Sequence, residues 1–313
     1  MELIYLYCFF CYICIIKYVL LLCTNIKKLD KQKFNLRRIE MSFTKSIIIT
    51  LTIFTANCSA DSRPKRIMSI SPALTEILFA IGAGPQVIAV DNYSTYPPEA
   101  PITSLSSFEP NMEAIATFKP DLVLLSYDIG NLVKGLNTIG VETMLLPAPK
   151  NFEEILLQIR KVGEKTGNVK QSNRLANRMN SKMKDLITLM KNKSQIKVYH
   201  EIDENYYSAS SQSFIGNIYE LLNLNNIADQ ADTNGSGYPK LSPEYILQSN
   251  PDIIILPGKD NNYISKLKKR PGWSAIDAVK KDQLLIIDAD VGSRWGPRII
   301  EFAKAIVKGI VLH

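Results

Sequence analysis

The longest uninterrupted pattern in the chain runs over 168–193. It contains no proline, and no glycine after Gly167. Leu175, Met179, Met183, Leu186 and Met190 follow one another at steps of 4, 4, 3 and 4, which places them on one helical face. Lys, Arg, Asn, Gln and Ser fill the other face. At ~1.5 Å per residue such a helix spans roughly 35–40 Å, the width of a small domain. Before it, short β-branched runs predict strands over 66–71, 87–90, 121–126 and 142–146, alternating with helices over 72–81, 111–118, 130–139 and 152–165. After it, strands are predicted over 196–202, 252–256 and 284–288, with helices over 214–222, 243–249 and 298–311. This alternation predicts an α/β fold with mainly parallel sheets. The long helix then reads either as a strut between two lobes, 64–167 and 194–313, or as an ordinary helix inside one α/β domain.

An internal echo favours two comparable lobes. Phe118-Lys-Pro-Asp-Leu-Val-Leu-Leu125 in the first half matches Ser249-Asn-Pro-Asp-Ile-Ile-Ile-Leu256 in the second. In each, a short helical pattern carrying a glutamate ends at Pro-Asp and a buried strand follows. Glu113 precedes Pro120 by 7 residues and Glu244 precedes Pro251 by 7. Pro-Asp is a common helix-to-strand turn, so the matched glutamates are the more specific part of the echo.

Charge and cysteine content separate a leader from the body. Residues 1–57 hold 8 Lys or Arg against 3 Asp or Glu, whereas the rest of the chain holds 29 against 27. The nearly neutral body offers no basic patch for a nucleic-acid partner. Cys8, Cys11, Cys14, Cys23 and Cys58 are the 5 cysteines, so the body after Cys58 has no disulfide framework and no thiolate metal site. The Cys8-x-x-Cys11-x-x-Cys14 spacing lies in an apolar run over 3–23, where a membrane or signal segment is the natural reading. Met41 opens a second pattern: Lys45, an apolar run over 47–54, then small or polar residues and Cys58. That is a signal peptide over 41–58, with Met41 as the expected start and residues 1–40 an upstream extension or an added membrane anchor. Thr55-Ala-Asn-Cys58 is similar to a lipoprotein signal, which makes Cys58 a lipidation candidate; Thr55 and Asn57 depart from that pattern, and simple secretion is the alternative. Either way the body is expected to be extracytoplasmic.

The residue inventory gives little for catalysis. The 2 histidines are His200 and the terminal His313, and no serine sits in a nucleophile elbow. Gly82-Ala-Gly84 closes a helix rather than opening one, so it is no dinucleotide fingerprint. Binding is better served. Predicted loops at strand ends carry Tyr93, Tyr96, Phe108 and Tyr127 in the first half and Tyr206, Tyr207, Tyr238 and Trp295 in the second. In open α/β sheets ligands lie beyond the carboxyl ends of strands, and aromatic residues there suit a large, flat or partly apolar ligand.

Several motifs, in order and spacing, carry a resemblance: Ile67-x-Ser-Ile-Ser-Pro-Ala-x-Thr-Glu76, Asn92-Tyr-Ser-x-Tyr-Pro-Pro-Glu99, Met112-Glu113 with the Lys-Pro-Asp-Leu-Val123 run, Tyr238-Pro-x-Leu-Ser-x-Glu244, Asn250-Pro-Asp-Ile253 and Ser293-Arg-Trp-Gly-Pro-Arg298. Over about residues 64–312 the chain resembles the substrate-binding proteins of ABC importers for cobalamin, haem and ferric siderophores, and the vitamin B12-binding branch is nearest in look. The resemblance implies two α/β lobes joined by one long helix, with little motion on closing and a ligand held between the lobes. It implies no catalytic residue, no intrinsic cofactor or metal, and a monomer that serves a permease dimer with its cytoplasmic ATPase. By motif position Glu113 and Glu244 dock onto permease arginines. Tyr93, Phe108, Tyr238 and Asp290 fall at ligand-contacting positions, and Tyr127, Tyr207 and Trp295 complete the candidate set. Phe108 and Tyr238 stand where the B12 binder has tryptophans, Trp295 where it has a small residue, and Val291-Gly292 where it has bulky aromatics, so the size of the site is altered. His200 is a candidate haem ligand, because haem binders of this family often use Tyr or His, or else a polar residue at a strand end. A ligand-sensing module without transport, or an extracytoplasmic enzyme on the same fold, are the alternatives.

Overall fold

The structure is a computed structural model that describes residues 63–193, 195–258 and 262–311. The leader readings over 1–40 and 41–58, Cys58 included, lie outside the described residues. In chain order the first half comprises β1 (Ile67–Ile70), α1 (Pro72–Ala80), β2 (Val87–Val90), α2 (Met112–Thr117), β3 (Leu122–Leu125), α3 (Leu132–Thr138), β4 (Glu142–Leu145) and α4 (Phe152–Thr166). The long helix is α5 (Val169–Met190). The second half comprises β5 (Lys197–His200), α6 (Phe214–Leu221), β6 (Asn225–Asn226), α7 (Ala228–Ala231), α8 (Pro243–Ser249), β7 (Ile253–Pro257), α9 (Asn262–Lys268), α10 (Asp277–Lys280), β8 (Leu284–Ile287), α11 (Ala289–Ser293) and α12 (Ile299–Val311).

The strands form two parallel 4-stranded sheets, β2-β1-β3-β4 and β6-β5-β7-β8. The two orders are the same, so the halves are topological copies. Their echo has a structural cause. Asp121 Oδ2 and Oδ1 accept the Lys65 and Arg66 amides at 2.7 and 3.0 Å. Asp252 Oδ2 accepts the Lys197 amide at 2.8 Å. In each lobe the Pro-Asp carboxylate ties the chain entering the central strand to the neighbouring strand's start.

Side-chain alternation along the buried strands puts both sheet faces to use. Ile67, Leu122 and Leu124 face one cluster, and Met68, Val123 and Leu125 face another. In the second sheet Val198, Ile253 and Ile255 join the first cluster, while Tyr199, Ile254 and Leu256 pack with Trp273. The first cluster is therefore shared by both lobes. The α5 stripe of Leu175, Met179, Met183, Leu186 and Met190 is buried in it. The helix packs on α4 and α12, one from each half of the chain. At 22 residues it is about 33 Å long. Gly167, at φ +77°, ends α4, and a Cβ on Gly163 would overlap the Ser172 side chain, so glycine lets α4 and α5 approach closely.

Candidate functional site

Reversal of strand order between β1 and β3 opens a crevice at their carboxyl ends. Ser71 and Ser126 leave those two strands, and their hydroxyls meet at 2.7 Å. They floor a recess of about 260 Å³ between the lobes. Its first-lobe wall holds Tyr93, Phe108 and Tyr127, and its second-lobe wall holds Asp290, Arg294 and Trp295. Tyr93 and Phe108 pack edge to face with centroids 5.1 Å apart. Phe108 nevertheless leaves 62% of its surface in solvent. Exposed aromatic residues grouped at a recess mark a binding surface rather than a core. Trp295 is the buried counterpart, 8% exposed and edge-on to Phe214 at 5.9 Å.

Polar groups order this wall from behind. Thr75 Oγ1 donates to Ser69 and meets Ser94 Oγ at 2.9 Å in both cases, and Ser94 donates to Asp91. Asp91 is wholly buried. Its burial raises its carboxyl pKa above the ordinary value, against the opposing pull of Ser94, Ser107 and Arg294. Beneath the recess, Glu76 of α1 accepts Arg294 at 3.3 Å and Arg298 at 2.5 Å, both from the second lobe. Arg294 also donates to the Tyr93 carbonyl at 2.9 Å and pairs with Asp290 at 2.9 Å. The Arg298 guanidinium lies 4.2 Å from the Tyr96 ring centroid. Burial alone would lower the Arg298 pKa; the hydrogen bonds and charge of Glu76 outweigh it and raise it.

Five of the sequence candidates therefore line one recess: Tyr93, Phe108, Tyr127, Asp290 and Trp295. Tyr238 does not line it, but its phenol is pushed up to about 12 by desolvation and then by nearby Tyr127, with a Ser213 hydrogen bond acting the other way. Tyr207 is not among the lining residues; Lys240 Nζ sits 5.8 Å from its ring centroid. His200 does not line the aromatic recess either. It is 5% exposed, its Nδ1 meets the Tyr219 hydroxyl at 2.7 Å, and Phe302 packs 5.9 Å away. It lines a separate cavity of about 70 Å³ with Asp288. Burial lowers its pKa to about 4.

Glu113 and Glu244 occupy matching places, the second residue of α2 and of α8. Asn111 caps the first helix by accepting the Ala114 amide, and Ser242 caps the second by accepting the Tyr245 amide. Both glutamates are exposed and form no ion pair among the described residues.

The profile of the family described as periplasmic binding protein matches residues 67–291, which takes in both sheets and the first residues of the second-lobe wall. The chain belongs to the periplasmic binding protein family. Among its relatives is an uncharacterised ABC transporter substrate-binding lipoprotein, YvrC, of Bacillus subtilis, 30% identical over 79% of this chain and 80% of its own length. The vitamin B12-binding protein of Vibrio cholerae is 26% identical over 85% of this chain and 96% of its own. A crystal structure from Staphylococcus epidermidis, described as a possible iron-binding (periplasmic solute-binding) protein, superposes with a TM-score of 0.70 at 28% identity, over 80% of this chain and all of that one. In this periplasmic binding protein, sequence reasoning missed Ser71, Ser126, Asp91 and the Glu76–Arg294–Arg298 group. Glu76, Arg294 and Arg298 belong to the motifs over 67–76 and 293–298, but no local signal tells that they meet across 218 to 222 residues.

Proposed function

We propose that this chain is the extracytoplasmic substrate-binding protein of an ABC importer and that its cargo is a cobalamin-like or iron chelate: a corrinoid, haem or ferric siderophore. The observation that carries this is the interlobe recess with Tyr93, Phe108 and Tyr127 facing Asp290 and Trp295. Its volume of about 260 Å³ lies just under the ~300–1,000 Å³ of small-molecule sites. A macrocycle-sized ligand therefore seats one edge in the recess, against hydroxyls and charge, and lays apolar surface on the exposed aromatic rings. The names of the B. subtilis and V. cholerae relatives agree with this reading. Binding and release, not bond chemistry, is the activity.

Glu113 and Glu244 serve as paired contacts for permease arginines, because two exposed carboxylates at matching places on two similar lobes suit a two-fold partner. The protein works as a monomer beside a permease dimer and its ATPase, tethered at the membrane through Cys58 or the leader. Charge reversal at Glu113 and Glu244 tests the docking: ligand binding survives and uptake falls. Loss of binding as well would return those residues to the ligand site.

The cargo is tested by titrating the protein with cyanocobalamin, haemin and a ferric siderophore panel, following absorption and intrinsic fluorescence. Saturable quenching by cobalamin with an unchanged corrin spectrum means enclosure between aromatic walls. A shifted Soret band with haemin means axial ligation by a recess tyrosine. Silence with all three refutes the assigned cargo class.

A further inference from the structure

Four ionised groups meet where the two lobes face each other under the recess. Glu76 comes from α1 of the first lobe, and Asp290, Arg294 and Arg298 come from the second. Glu76 is 2% exposed and Arg294 8%. Two carboxylates face two guanidiniums, and the buried Glu76 and Arg294 neutralise each other, as charges removed from water must, while Asp290 keeps 44% of its side-chain surface in solvent. The contacts are ordered in a chain. Glu76 holds both guanidiniums, Arg294 reaches on to the Tyr93 carbonyl and to Thr95 Oγ1 at 3.3 Å, and Arg294 also holds Asp290. Tyr93 and Asp290 stand on opposite walls of the recess. Gly296 lies between the arginines, and a Cβ there would come within 2.9 Å of Glu76 Oε2. The chain backbone is thus closed tightly around this one carboxylate.

We propose that Glu76 is a positioning residue for ligand binding: by fixing Arg294 between the Tyr93 carbonyl and Asp290, it sets the spacing of the two walls and aims the Asp290 carboxylate into the recess before a ligand arrives. Glu76 itself does not line the recess. It acts through Arg294, which does. A wall held in place beforehand loses less freedom on binding, so affinity depends on this buried group. The role rests on the recess being the ligand site.

The 2 tryptophans of the chain provide the test. Trp295 lines the recess, and Trp273 is 1% exposed in the cluster behind the second sheet. Full-length protein labelled with 5-fluorotryptophan gives two fluorine resonances, assigned with Trp295→Phe. Glu76→Gln is expected to broaden or split the Trp295 resonance and leave Trp273 unmoved. Affinity for whichever of cyanocobalamin, haemin or a ferric siderophore the parent binds is expected to fall about tenfold, within the range for coupled residues in one network. Arg298→Met, which keeps the Glu76–Arg294 contact, should produce the same change to a smaller degree and serves if Glu76→Gln fails to fold. An unchanged Trp295 resonance with unchanged affinity overturns the proposal. So does a joint shift of both tryptophans, which is general loosening. If the parent binds none of the three probes, the cargo reading fails, and the fluorine spectrum alone decides the positioning role.

Discussion

Acid should destabilise this protein through His200. The imidazole is 5% exposed and hydrogen-bonded through Nδ1 to Tyr219, and burial holds its pKa at about 4 against 6.5 for the free side chain. A group whose folded pKa is depressed stabilises fully above its unfolded pKa and loses that contribution as pH falls. The unfolded chain takes up the proton near pH 6.5, while the folded one resists it down to about pH 4. Between pH 7 and pH 5 the native state should lose about 2 kcal/mol, rising to about 3 kcal/mol near pH 4. Carboxylates titrate over the same range, and Asp91, with its raised pKa, contributes with the opposite sign. The comparison is therefore between the parent and His200→Phe, in which those other terms cancel. Urea unfolding at pH 7 and pH 5, read by tryptophan fluorescence, measures both. The variant starts lower at pH 7, because the Tyr219 hydroxyl loses its partner. It should show a pH-dependent loss smaller than the parent's by about 2 kcal/mol. Parallel losses would mean that His200 is hydrated or already protonated in the fold, and the reasoning from burial would be wrong.

Two further outcomes follow from buried charge and close packing. Glu201 is fully buried, and Arg270 grips it at 2.6 and 2.8 Å while the Tyr199 and Tyr263 hydroxyls donate at 3.0 and 2.7 Å. Arg270→Met should cost about 3–5 kcal/mol in urea unfolding, because it strands a buried carboxylate, and adding Glu201→Gln should recover much of that loss. If the single variant costs under about 1 kcal/mol, the carboxylate is reached by water. Gly296→Ala should cost about 1–3 kcal/mol by overpacking against Glu76, and it should weaken ligand binding together with Glu76→Gln; unchanged affinity would separate Gly296 from the wall spacing.

Much of the fold is legible in the chain because its signals are local. The α5 stripe recurs at helical spacing, and β2, β3, β7 and β8 are continuous apolar runs. The matched Pro-Asp segments repeat because each lobe uses the carboxylate to hold the start of its neighbouring strand. Elements without such signals were missed. β6 is two asparagines, held by pairing to β5, and α11 is five residues with Gly292 inside it. The aromatic candidates were found because loops at strand ends are where ligands bind, yet spacing could not separate Tyr207 from Tyr93.

By itself the sequence determined α/β alternation on both sides of a long helix with one apolar face, and a set of aromatic residues at strand ends, since each is written in residues a few positions apart. Only the tertiary structure decided that the helix packs into a core shared by both lobes, that His200 turns into the interior, and that Glu76 meets Arg294 and Arg298. Those outcomes depend on burial and charge neutralisation between residues remote in the chain, and pairing of that kind leaves no periodic trace.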